Sequence, residues 1–97
     1  MLRLDYSLES KDDLIDIFEN IKKDKPNVAK EYAQKLKEYV ELLITNPKMG
    51  GQCKNKNIKL ECRILVYKSH LIFYKVKENS IVIIRIIHSR ENYKQNF

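Results

Sequence analysis

Ninety-seven residues support one hydrophobic core and not two, so a single domain over residues 1–97 is predicted. With 43% hydrophobic and 33% charged residues the composition is that of a globular protein, and the longest apolar run, Ile81 to Ile87, is broken by Arg85, which excludes the roughly 20-residue stretch of a membrane helix. The net charge of +6 is carried by one half: residues 1–47 hold 8 Lys/Arg against 10 Asp/Glu, and residues 48–97 hold 11 against 3.

A basic half attracts nucleic acid, an acidic protein segment or an anionic surface, and charge by itself does not choose among them or exclude a role in solubility alone. The chain starts Met1-Leu2-Arg3-Leu4-Asp5 and turns charged at once, without the apolar segment of a secretory signal, so cytoplasmic residence is expected. Cys53 and Cys62 are too few for a disulfide framework and are read as reduced thiols. Adding His70 and His88 gives four potential zinc ligands, but no two share the spacing of a metal motif. No metal and no cofactor is therefore expected.

Leu2, Leu4 and Tyr6 alternate with Arg3, Asp5 and Ser7, the period of a half-buried strand. Ser10 then offers an N-cap, and Leu14, Ile17, Phe18 and Ile21 recur at the spacing of one helix face, predicting a helix over Lys11 to Lys23. Asp24-Lys25-Pro26-Asn27 reads as a tight corner with Pro26 at the start of a second helix, where its missing N–H costs nothing. Ala29, Tyr32, Ala33, Leu36, Val40 and Leu43 form the stripe of that helix, which runs to about Thr45 before Asn46-Pro47 ends it. So short a corner predicts an antiparallel hairpin.

Lys48 to Lys59 holds both glycines, Gly50 and Gly51, among Lys and Asn, and is predicted to be a loop. Three β-rich segments follow, Cys62–Tyr67, Leu71–Val76 and Ile81–His88, joined closely enough for an antiparallel meander. The last is apolar on both alternating faces, as in a strand covered on both sides. The predicted class is α+β, in the order β-α-α-β-β-β, with a helical hairpin packed on one face of a small, mainly antiparallel sheet.

Three strings in this order resemble the RelE/ParE superfamily of toxins from type II toxin–antitoxin systems, over nearly the whole chain. Lys25-Pro26-Asn27-Val28-Ala29 is similar to the Asn-Pro-x-Ala-Ala corner of those toxins. Leu42-Leu43-Ile44-Thr45-Asn46-Pro47-Lys48-Met49-Gly50 is similar to their Leu-rich helix end followed by Pro and Met-Gly. Leu71-Ile72-Phe73-Tyr74-Lys75-Val76, with Ile83-Ile84-Arg85-Ile86-Ile87-His88-Ser89-Arg90, resembles the C-terminal strands of the ParE-like branch. The resemblance implies a toxin associated with growth inhibition and plasmid maintenance, masked by a cognate antitoxin. ParE-type members are associated with inhibition of DNA gyrase by direct binding. RelE-type members cut messenger RNA on the ribosome.

Cleaving RNA through its 2′-hydroxyl needs a base, an acid and cations for the charge that develops on phosphorus. Arg63, Arg85, His88 and Tyr93 could supply these in a RelE-type reading. RelE-type strings, however, carry an Arg where this chain has Leu71, whereas ParE-like strings are apolar there, as here. His70, one residue earlier, stands in place of the usual Tyr, and Glu91 in place of a cation common in ParE-like chains.

The preferred expectation is thus a gyrase-binding toxin that uses Arg63, His88, Arg90 and Tyr93 on its target and no catalytic residue, with Tyr32, Tyr39 and Leu43 lining an antitoxin groove. A non-toxic nucleic-acid-binding module is the third reading. By alternation Arg85 shares a face with Ile81, Ile83 and Ile87 and is expected to pair with a helix carboxylate such as Asp16 or Glu19. His88 is expected on the opposite face, so that the two would not serve one site unless the strand end twists or bulges.

Overall fold

A computed structural model describes residues 2–56, 58 and 61–91. Strand β1 (Arg3–Tyr6) leads into the helices α1 (Leu8–Asp24) and α2 (Pro26–Glu41), and a 3-10 turn, Leu42–Ile44, closes the hairpin. The strands β2 (Gly51–Gln52), β3 (Arg63–Tyr67), β4 (His70–Val76) and β5 (Ser80–His88) follow. The sheet order is β1-β5-β4-β3-β2. All pairings are antiparallel except β1 with β5, which is parallel. The α+β class, the helical hairpin and the meander agree with the sequence reading.

Two elements differ from it. Helix α1 begins one turn earlier, because Ser7 rather than Ser10 is its cap: Ser7 Oγ accepts from the Ser10 backbone N–H at 3.0 Å and donates to the Ile84 carbonyl at 2.7 Å. Ser10 is instead buried, its hydroxyl donating to the Ser7 carbonyl. The expected loop contains the two-residue strand β2, too short to show a period, followed by a 3-10 turn over Cys53–Lys56. Asn57 and Lys59, the rest of that loop, lie outside the described residues.

The hairpin covers one sheet face. Leu36, Val40 and Leu43 pack there on Leu65, Ile72, Tyr74, Ile81, Ile83 and Ile86, with Leu4, Leu14 and Ile17 at the margin. A second, smaller core lies on the other face, where Cys53, Ile58 and Cys62 cover Ile64, Phe73 and Ile87. The apolar doubling of β5 thus reflects burial on both sides.

Cys53 and Cys62 correct the expectation of free thiols: they form a disulfide with their Cα atoms 5.2 Å apart. The pairing of β2 with β3 sets Gln52 opposite Arg63, so the next residue outward on each strand meets the other. Nothing in a spacing of nine residues announces that. Beside it, Gly50 lies so close to the Ile64 carbonyl that any side chain there would collide. Tyr74 Oη fixes this corner, donating to the Pro47 carbonyl at 2.8 Å and accepting from the Gly50 N–H at 2.9 Å.

Strand β5 carries a bulge. Phe73 pairs with Arg85 but Tyr74 pairs with Ile83, leaving Ile84 as the extra residue. The phase therefore shifts along the strand: Ile81 and Ile83 point to the helices, and so does Ile86, while Ile87 joins the second core. The shared face expected for Ile81, Ile83 and Ile87 does not exist.

Candidate target-binding site

The bulge and the end of β1 together place Arg85. β1 pairs with β5 only as far as Ile83, and beyond it the edge of β5 is met by the start of α1. Asp13, not Asp16 or Glu19, receives the guanidinium there, with Nε at 2.8 Å and the terminal nitrogen at 3.0 Å. The same carboxylate accepts from the Ile86 backbone N–H at 2.9 Å, in the place a neighbouring strand would occupy. Helical periodicity had pointed to the wrong acid because the contact is made at a strand edge and not over the sheet face. The hydrogen bond to Asp13 raises the Arg85 pKa above its ordinary value, so this cation is held in a structural pair.

The two-residue turn Lys68-Ser69 joins β3 to β4, with Lys68 in the left-handed region at φ 51°. It sets His70 on the helix side, where alternation also puts Ile72 and Tyr74. His70 is paired in register with His88, and their rings meet edge to face with centroids 5.2 Å apart. From α2, Tyr32 Oη approaches His70 Nδ1 to 2.7 Å. Tyr32 and Tyr39 both flank Tyr67, at 5.5 and 5.3 Å between centroids. Lys68 Nζ sits 5.7 Å from both the Tyr32 and Tyr67 rings, within cation–π range.

These groups form an aromatic corner bordering a cleft of about 400 Å3, which Asp13, Asp16, Tyr32, Lys68, His70 and His88 help line. Burial, and then the neighbouring His88, lower the His70 pKa, while burial raises that of Tyr32. A neutral His70 accepting from a protonated Tyr32 satisfies both. His88 Nδ1 accepts from the Arg90 backbone N–H at 3.1 Å, which leaves the His88 ring proton on Nε2 and shapes the turn that carries the exposed Arg90.

The expected site residues are thereby divided. His88 and Arg90 lie at this corner with Tyr32. Tyr39 joins it through Tyr67. Arg63 is at the far end of β3, opposite Tyr74 and four residues along β4 from His70, about 13 Å in strand rise. Its guanidinium donates to the carbonyls of Gly50 and Lys48. Leu43 is fully buried in the core and offers nothing to a partner at the surface. Tyr93 lies outside the described residues. Leu71 packs against the second core. Arg85 and His88 keep the opposite faces expected of them, since the bulge at Ile84 precedes both: Arg85 pairs with Phe73 of the second core and His88 with His70 on the helix side.

Lys68, Tyr67 and His70 are the members of this corner that sequence reasoning missed. They had been read as a turn and its flanks, although the parity of His70 with Ile72 and Tyr74 was available as a signal.

Titration of His70 has a measurable consequence. Its folded pKa lies below the ordinary imidazole value of 6.5, so the unfolded chain takes up the proton first as pH falls. The stabilising contribution is complete above pH 6.5 and is lost as pH drops through the folded value. Thermal melts are expected to show a progressive fall in Tm below pH 6.5 that is shallower in His70→Gln. Equal slopes for the two proteins would contradict this.

The sequence matches the family model described as ParE toxin of type II toxin-antitoxin system, parDE, over residues 4–93. Its fold is similar to a solved structure described as the chromosomal ParDE TA system from P. aeruginosa, with a TM-score of 0.75 at 22% identity, covering 91% of this chain and 96% of that one. No curated protein matches the sequence. Among the described residues no helix is long and apolar enough to cross a membrane. Since the family model takes in all the elements from β1 to β5 that build the aromatic corner, the chain belongs to the ParE toxin family of type II toxin–antitoxin systems.

Proposed function

We propose that this toxin acts in the cytoplasm by binding DNA gyrase through the corner formed by His88, Arg90 and the Lys68 turn, without chemistry of its own. A cognate antitoxin neutralises it by covering Tyr32 and Tyr39. The observation that carries the reading is the contact chain Tyr32–His70–His88, which makes the proposed antitoxin-facing and target-facing residues immediate neighbours. A partner seated on Tyr32 and Tyr39 would exclude a second partner from His88 and Arg90 by overlap. Aromatic rings beside cations are also the side chains most often dominant in protein–protein binding.

Support against a nuclease comes from the occupation of its candidate groups. Arg85 is held by Asp13, and Arg63 binds backbone carbonyls at the other end of the sheet from His88. Neither is poised beside His88 to stabilise charge on a phosphate.

Purified toxin is expected to inhibit gyrase supercoiling and to leave messenger RNA uncut in a translating extract read by primer extension. Replacing both His88 and Arg90 with alanine should weaken inhibition by at least tenfold, about 1.4 kcal/mol, while the protein still unfolds in one cooperative transition. Cuts with supercoiling untouched would overturn the proposal in favour of the ribosomal nuclease. Inactivity in both assays would favour the non-toxic module.

A further inference from the structure

We propose that Cys53 and Cys62 are a reversible thiol–disulfide couple whose oxidation state sets how firmly β2 and the turn after it are held on the second core. Their Cα separation of 5.2 Å lies within the range of an unstrained bridge. The Cys53 backbone N–H also donates to the Cys62 carbonyl at 2.8 Å, so the two residues are held together by more than the sulfur bond. After reduction the thiols stay close, and reoxidation is an intramolecular step.

Two further features favour exchange. Cys62 is slightly exposed at 7% and borders a cleft of about 490 Å3, which gives a small reductant access. Among the described residues, Lys54, Lys75 and Arg63 line the same cleft with one carboxylate, Glu61, and the excess of positive charge favours thiolate over thiol.

The reaction is exchange with a dithiol. One thiolate of the dithiol attacks a protein sulfur to give a mixed disulfide and a protein thiolate. The second thiolate of the dithiol then displaces the other protein sulfur. The dithiol leaves as a cyclic disulfide, having lost two electrons and two protons, and Cys53 and Cys62 become two thiols. In the oxidised chain the bridge ties the end of β2 to the start of β3 over Ile64, Phe73 and Ile87. In the reduced chain that attachment rests on apolar packing, the pairing of β2 with β3 and the Cys53–Cys62 backbone hydrogen bond.

The full chain would be equilibrated in buffers of graded oxidised-to-reduced dithiothreitol, with free thiols trapped by a maleimide and counted by mass, and melted in parallel. The expected result is one two-electron transition reached without unfolding, with the oxidised protein melting roughly 10 °C above the reduced protein. Cys53→Ala combined with Cys62→Val keeps the site apolar and should melt like the reduced protein in every buffer. Free thiols under fully oxidising conditions would overturn the proposal. So would reduction that occurs only on unfolding, or a double variant as stable as the oxidised protein.

Discussion

Asp13→Ala is expected to destabilise the protein by about 3 kcal/mol, lowering Tm by roughly 15 °C. Asp13 makes three hydrogen bonds, two to Arg85 and one to the Ile86 backbone N–H. The side chains of Arg85 and Asp13 are only 25% and 14% exposed. Removing the carboxylate takes the Asp13 ion pair from a half-buried guanidinium and opens the backbone edge of β5. Both penalties exceed the small net contribution of an exposed ion pair. The partial exposure of Arg85 puts the expected loss at the low end of the range for breaking a buried pair.

A double-mutant cycle with Arg85→Met separates the two effects. The Met variant should lose less than Asp13→Ala, because Asp13 keeps the Ile86 N–H and can draw on water. Chemical denaturation of the four proteins measures this, and a loss below about 1 kcal/mol for Asp13→Ala would reduce the pair to a surface contact. The function should respond as well, since Asp13 borders the same cleft as His88 and joins α1 to the end of β5.

Gly50→Ala is expected to cost about 3 kcal/mol, whereas Gly51→Ala, one residue on, should be close to neutral. A Cβ at residue 50 would stand 2.5 Å from the Ile64 carbonyl oxygen and 2.9 Å from Tyr74 Cε1. Neither neighbour can give way cheaply. Ile64 belongs to the β3 ladder, and the Tyr74 ring is tethered through its hydroxyl to Pro47 and Gly50. Movement would also break that tether and displace the carbonyls that hold Arg63. At residue 51 an added Cβ meets nothing within 4 Å. Equal midpoints in urea for the two alanine variants would show that the corner repacks freely.

Much of the architecture was legible in the chain because local periodicities are set by the backbone. The stripe from Ala29 to Leu43 requires a helix whatever it packs on, and the three apolar segments after Cys62 require strands. The corner at Pro26 permits only a tight hairpin, and the strings around Pro47, Phe73 and Arg85 carried the family resemblance. Burial of β5 on both faces was readable from the apolar residues at both of its alternating positions.

Tertiary structure decided what depends on proximity between distant residues. Alternation assumes a constant phase, so the extra residue Ile84 reversed every face assigned beyond it and separated Ile87 from Ile81 and Ile83. The partner of Arg85 followed from where β1 stops beside β5, a matter of strand register that helix spacing does not encode. The two cysteines met because β2, only two residues long, pairs with β3. The same holds for the site: the charge of the C-terminal half was visible in the sequence, but its division between Arg63 at one end of the sheet and Lys68, His88 and Arg90 at the other came from pairing alone. Sequence set which residues are apolar or charged and how each segment turns, whereas contacts over the sheet's edges and faces fixed which of them act together.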